Sequence, residues 1–177
     1  MNWFIYNLDL TQYYNELYDV GLNKIPYYPY KTTAKTVESN PEYHKSIKTD
    51  MLIYTEKDGC FDIPVVKSII SLLPFTPNTA SFIKLNPYVV MPIHRDDKVL
   101  RKSHLIIPIY PLNEHYTTTK FYDEDKNIID EAVFSTTPVI INTQERHGLQ
   151  NNDIVRIQFN LGFSEGIEDW HDLFCRL

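Results

Sequence analysis

Cysteine is nearly missing from this chain. Only Cys60 and Cys175 occur in its 177 residues, far apart, so no zinc ribbon and no Cys-x-x-Cys redox pair can form. A reduced compartment is the economical reading, with a single disulfide as the alternative. Glycine is scarce too, at 5 against 11 prolines, which excludes a flexible glycine-rich protein. Positive charge is in deficit. Lys and Arg number 17 against 23 Asp and Glu, a formal net charge of −6, which excludes a broadly basic nucleic-acid binder and leaves only a local basic groove. No apolar run approaches the ~20 residues of a membrane helix. Met1 to Tyr14 lacks the positive start and apolar block of a signal peptide. From these absences we expect a soluble, intracellular, cytoplasmic protein with no membrane partner.

What is present suits a globular fold. Hydrophobic residues make up 43% and charged residues 23%, so the chain is neither disordered nor fibrous. Its length fits one domain with a core that needs no disulfide or metal staple. Leu10, Tyr13, Tyr14, Leu17 and Tyr18 recur at helical spacing and predict a helix over Asp9 to Val20, capped by Asp9 and ended by Gly21. Tyr27-Tyr28-Pro29-Tyr30 is extended, because its prolines forbid a regular helix. It either lines a groove or packs on helices. Lys31 to Asp50 reads as a polar connector or cover. Ile63 to Leu73 reads as a second helix, with Pro64 in its first turn.

From Ala80 the pattern changes to short strands. They are expected over Ser81 to Leu85, Tyr88 to Ile93, His104 to Tyr110, Thr117 to Tyr122, Ala132 to Ser135, Val139 to Asn142 and Ile154 to Phe163, with turn chemistry between them. Such spacing means a sandwich, barrel or jelly roll. Glu165 to Leu177 reads as a terminal helix. The chain therefore divides into an N-terminal cover (1–79), a mainly β core (80–163) and a helical tail (164–177) within one domain.

Three features in the β core carry chemistry. His94 and Asp96, in Pro92-Ile93-His94-Arg95-Asp96, lie two apart at the end of an apolar strand and share a face. Asp97 faces away. His147 follows a later β run, in Gln144-Glu145-Arg146-His147-Gly148. Arg156 sits in the alternating stretch from Val155 to Leu161, on the polar face with Gln158 and Asn160. That face is solvent in a plain sandwich and lumen in a closed barrel. Two imidazoles and a carboxylate form the facial ligand set for iron(II), which leaves three positions open. A guanidinium such as Arg156 suits the far carboxylate of a dicarboxylic cosubstrate.

The order His-x-Asp, then about fifty residues, His, then about ten residues, Arg resembles the 2-oxoglutarate- and Fe(II)-dependent oxygenases. The segment Leu85-Asn86-Pro87 through Pro92-Ile93-His94-Arg95-Asp96-Asp97, with Arg101 and His104-Leu105-Ile106-Ile107-Pro108, resembles the aspartyl/asparaginyl β-hydroxylase-like branch, which includes small bacterial and viral members. So does His147-Gly148-Leu149-Gln150-Asn151. The resemblance spans Ser81 to Phe163 and implies a double-stranded β-helix, a cupin-like jelly roll. It implies His94, Asp96 and His147 as Fe(II) ligands, Arg156 as the 2-oxoglutarate anchor and His104 as a further cosubstrate contact. The implied reaction hydroxylates a substrate with O2 and releases succinate and CO2. That substrate is a peptide side chain, an amino acid, a nucleobase or a small metabolite. Several branch members lack the carboxylate ligand that Asp96 offers here. The branch often places an Arg two residues before the position of His104, where this chain has Lys102. Arg101, one step away, would take the opposite face in a regular strand.

Plainer readings stand beside these. His94, Asp96 and His147 also suit turns, and His104 is the rival third ligand. Asn142 and Asn151 read as turn residues, and His44, His115 and His171 as ordinary polar positions. Lys24, Lys31, Lys35, Lys45 and Lys48 among tyrosines leave a nucleic-acid substrate open. A cupin-like metal-binding protein without oxygenase activity and a metal-free β-sandwich interaction module are the alternatives from other classes.

Overall fold

A computed structural model describes residues 1–30, 51–96, 99–111, 117–134 and 137–174. The chain runs through β1 (Trp3–Ile5), α1 (Tyr14–Asp19), a π-turn (Val20–Lys24), β2 (Tyr28–Pro29), β3 (Met51–Thr55), two 3-10 turns (Glu56–Asp58 and Cys60–Asp62) and α2 (Pro64–Ile70). It continues through β4 (Thr79–Leu85), β5 (Val90–His94), β6 (Ser103–Tyr110), β7 (Thr117–Tyr122), β8 (Ile128–Phe134), β9 (Val139–Asn142), β10 (His147–Asn151), β11 (Arg156–Phe163) and α3 (Ile167–Phe174).

Among the described residues the strands form two antiparallel sheets. One has the order β1-β9-β6-β11-β4-β3-β2 and the other β5-β10-β7-β8. Strands β4 to β11 exchange between the two sheets as a jelly roll does, which is the double-stranded β-helix the sequence led us to expect.

The centre of the large sheet is buried on both faces, and every residue of β11 is buried. Its outer face carries Phe82, Leu105, Ile107, Ile157, Phe159 and Leu161, which pack against Leu17, Val66, Ile69 and Trp170 of the helices. Burying one such side chain fully contributes about 1.5–3 kcal/mol. Trp170 is held edge-on to Phe163 at 4.8 Å, and its indole N–H donates to Ser103 Oγ at 3.0 Å. The inner face meets the small sheet through two apolar clusters. Met51, Ile83 and Leu85 pack with Val89 and Leu149. Ile106, Val139 and Ile141 pack with Phe121 and Ala132.

The helices are shorter than expected. Asp9 does not cap α1: its carboxylate accepts from the Thr11 N–H at 3.0 Å, a local turn. Gly21 lies inside the π-turn instead of ending the helix. A Cβ there would come within 3.2 Å of Ile109, so glycine lets the turn lie directly on the sheet. Strands β1 and β3 were not foreseen, and both belong to the large sheet. The connector Lys31 to Asp50, His44, Asp97, His115 and Cys175 lie outside the described residues.

Candidate active site

Strand β5 delivers His94 at its last position. The chain then leaves the sheet, and the Asp96 N–H donates to the Thr143 carbonyl at 3.0 Å. His147 opens β10, a strand that sequence reasoning took for a loop. It is the register partner of His94 on one side and Phe121 on the other. A Cβ at Gly148 would stand 2.9 Å from the Met91 carbonyl, so glycine there lets β10 close onto β5. The imidazoles of His94 and His147 lie 4.3 Å apart between ring centroids. Ligand atoms of His94, Asp96 and His147 all fall within 4.8 Å of one another.

The surroundings prepare these groups as ligands. His147 is buried, and its Nδ1–H donates to the Glu145 carbonyl at 2.9 Å, which leaves Nε2 as the lone-pair nitrogen. Burial pushes the His147 imidazole down to about 4, and nearby His94 adds to this while Asp96 opposes it. Burial alone would raise the Asp96 carboxyl. His104, Arg101, His147 and His94 around it outweigh that effect and hold it below its ordinary value. At neutral pH His147 is therefore a neutral imidazole and Asp96 an ionised carboxylate, the forms a metal binds.

His104 stands beside the triad, with Nε2 3.6 Å from the other Asp96 oxygen. Burial pushes it down to about 4 against the pull of Asp96. It contacts the carboxylate, while the cluster that brings ligand atoms together is His94, Asp96 and His147.

Arg156 faces the lumen. It pairs in register with Leu85, and Gln158 with Ile83, the residues that pack onto the small sheet. Arg156 is 4% exposed, and burial pushes its guanidinium down to about 9. Along the same face follow Gln158, Asn160 and Gly162, and Gly162 is the register partner of His104. Gln158 donates to Asn160 Oδ1 at 2.9 Å, and its own Oε1 is buried with no hydrogen-bond partner. A polar row thus runs along β11 from Arg156 toward the triad.

Arg101 corrects an expectation. It precedes β6 and so escapes strand alternation, and its guanidinium lies 3.9 Å from Asp96 Oδ1. Tyr30 was also unassigned. Burial raises its phenol, which feels both Arg101 and Asp96, whereas Tyr27 packs away, donating to the Gly21 carbonyl at 2.7 Å. Tyr27 therefore packs on the π-turn, one of the two uses the segment's sequence allowed. Asn142 and Asn151 are the last residues of strands β9 and β10, not turn residues as expected, and their side chains bond backbone at the strand ends: Asn142 Oδ1 accepts from the Gln144 N–H at 3.0 Å, and Asn151 donates to the Asn86 carbonyl at 2.8 Å. His171 lies on α3 against Phe4.

No protein-family model and no curated protein matches the sequence. The fold does recur among solved structures. A prolyl-4-hydroxylase from Pseudomonas putida superposes with a TM-score of 0.54 at 10% identity, over 92% of this chain and 91% of its own. The chain has the fold of the 2-oxoglutarate–Fe(II) oxygenases. A member of that oxygenase family from Burkholderia pseudomallei gives 0.51 at 8% identity, over 91% of this chain and 93% of its own. The α-ketoglutarate-dependent carbocyclase SnoK of nogalamycin biosynthesis gives 0.52 at 10% identity, over 99% of this chain and 85% of its own. At these identities the likeness is one of fold. No helix among the described residues is long and apolar enough to cross a membrane.

Proposed function

We propose that the protein is an Fe(II)- and 2-oxoglutarate-dependent dioxygenase that hydroxylates its substrate. The observation that carries this reading is the convergence of His94, Asp96 and His147, with ligand atoms within 4.8 Å, inside a double-stranded β-helix. Two imidazoles and one carboxylate suit iron(II) and leave positions open. The buried Arg156 heads a polar row of the lumen, which suits a dicarboxylate lying between it and the metal.

Bound iron(II), with 2-oxoglutarate and O2, would supply the oxidising chemistry and release succinate and CO2. The chain's own residues do the rest. His94, Asp96 and His147 would hold the metal. Glu145 fixes the ring orientation of His147 through its carbonyl. Arg156 takes the far carboxylate of the cosubstrate by a charge-assisted pair, and His104 offers a further contact beside Asp96. The apolar clusters flanking the row keep water from the reacting centre. The segment from Leu85 to Pro108 supports the aspartyl/asparaginyl β-hydroxylase-like branch. The substrate class within that reading is a peptide side chain, an amino acid, a nucleobase or a small metabolite.

The test is succinate formation from 2-oxoglutarate without added substrate, followed by proton NMR in the presence of Fe(II) and O2. We expect slow succinate release that needs both components and disappears in His94→Ala. Metal binding with no binding or turnover of 2-oxoglutarate would favour the metal-binding cupin instead.

A further inference from the structure

We infer that Arg101 is a specificity residue for the primary substrate, and that this substrate carries an anionic carboxylate or phosphate group which Arg101 binds at the mouth of the site. The inference rests on the oxygenase reading above and adds to it the chemistry of the substrate.

Arg101 is built into the site by contacts that do not use its guanidinium. Its backbone carbonyl accepts from Thr143 Oγ1 and from Gln144 Nε2, the latter at 3.1 Å. The next residue, Lys102, accepts from the Thr143 N–H at 3.2 Å. Thr143 also holds the backbone of Asp96. One short segment ahead of His147 therefore fixes Arg101 relative to the proposed metal ligands. The side chain has its own seat. A Cβ on Gly162 would meet Arg101 Cγ at 3.1 Å and His104 Nε2 at 3.0 Å, and would collide with Thr79 Oγ1. The bare glycine leaves room for Arg101 and His104 to cross β11 toward Asp96.

Placement and charge then decide the role. Arg156 is sealed in the lumen, but the Arg101 side chain is 39% exposed and touches Asp96 at 3.9 Å. It reaches both the triad and solvent. Its ion-pair partner is Asp96, and a divalent ion on the triad would claim that carboxylate. Among the described residues the site would then hold the two positive charges of the ion and one each on Arg101 and Arg156, against the single charge of Asp96. A dicarboxylate cosubstrate offsets two of these and leaves one unbalanced, on the guanidinium that faces the entrance. The Tyr30 phenol lies within electrostatic range of Arg101 and Asp96, and its O–H is a second donor of the same kind. A guanidinium and a phenol are hydrogen-bond donors suited to an oxyanion. A neutral substrate would leave that charge unmatched at the mouth.

The test uses the full chain loaded with Mn(II), which does not turn over, and saturated with 2-oxoglutarate. N-acetylglycine, N-acetylglycinamide and inorganic phosphate are titrated by calorimetry into wild type, Arg101→Gln and Arg101→Lys. We expect saturable binding of N-acetylglycine, of phosphate or of both, with none for the neutral amide, and whichever anion binds identifies the group. Arg101→Gln should weaken that binding about 10- to 100-fold, and Arg101→Lys should keep most of it. Mn(II) retention should be unchanged or higher in Arg101→Gln, because a positive charge beside the ion has gone. Equal binding of the amide, or an Arg101→Gln variant that binds anions like wild type, would overturn the inference. So would lost 2-oxoglutarate affinity in Arg101→Gln, which would make Arg101 a cosubstrate residue, or lost Mn(II), which would make it a support for Asp96. Failure of the wild type to bind Mn(II) would overturn the oxygenase reading, and this inference with it.

Discussion

His94 and His147 are register partners across β5 and β10, and their rings lie 4.3 Å apart. Strand pairing alone thus brings together two imidazoles more than fifty positions apart in sequence. Asp96 completes the cluster because Thr143, four residues before His147, holds its backbone. The site is assembled by the sheet's own hydrogen bonds before any metal arrives.

Removing the carboxylate should therefore disarm the site without unfolding it. Asp96→Ala is expected to weaken iron retention by more than the roughly 10–100-fold cost of losing an outer-shell partner, and to abolish succinate formation. Metal content after dialysis, read beside the thermal melt, checks this. Full turnover in the variant would remove Asp96 from the ligand set.

Arg156 predicts a different pattern. Arg156→Ala should spare metal binding and weaken 2-oxoglutarate about 10- to 100-fold. The stabilisation that cosubstrate gives the wild type, about 3 kcal/mol at a hundredfold excess over its Kd, should fall to about 0.4–1.4 kcal/mol at the same concentration. An unchanged ligand-induced shift would place the carboxylate anchor elsewhere.

The histidines make the apo fold acid-sensitive. His104 and His147 are both pushed down to about 4 by burial, against roughly 6.5 in an unfolded chain. Between these values the unfolded state binds protons that the folded state does not. Stability is therefore full above about pH 6.5, falls as pH drops toward 4, and levels off below that with respect to these groups. Each contributes at most about 3 kcal/mol. Urea unfolding of metal-free protein from pH 7 to 4.5 should show this decline, and His147→Asn should flatten it. A level profile in the wild type would contradict the buried, neutral imidazoles.

Gly162→Ala tests the seat beneath Arg101 and His104. The added methyl would press on Thr79, His104 and Arg101, a crowding that costs about 1–3 kcal/mol. We expect a lower melting temperature together with weakened anion binding at the mouth. A variant as stable as wild type and unaltered in ligand binding would show that the neighbours give way freely.

Much of the β core was legible from alternation and turn residues, because its strands are apolar and its turns carry Asn, Asp and Pro. Strand β10 was not. His147-Gly148-Leu149-Gln150-Asn151 has low β propensity and is a strand only because β5 and β7 pair with it from both sides. The face of Arg156 could not be read either. Its polar stripe with Gln158 and Asn160 looks the same whether it meets water or a lumen, and only the helices covering the opposite face decide it. Strand parity put Arg101 on the face opposite that of Lys102, an argument that does not apply because β6 begins two residues later. The spacing of His94, Asp96, His147 and Arg156 carried the proposed ligand set and anchor. The second ring of contacts, Tyr30, Thr143, Gln144 and Gly162, left no sequence pattern because each acts through a contact between distant segments.

The most direct test of the account is anaerobic addition of Fe(II) and 2-oxoglutarate to apo-protein, watched for the visible charge-transfer band between metal and cosubstrate. The account predicts a band that needs both components, disappears in His94→Ala and requires far more 2-oxoglutarate in Arg156→Ala. Fe(II) binding without any such band would contradict it.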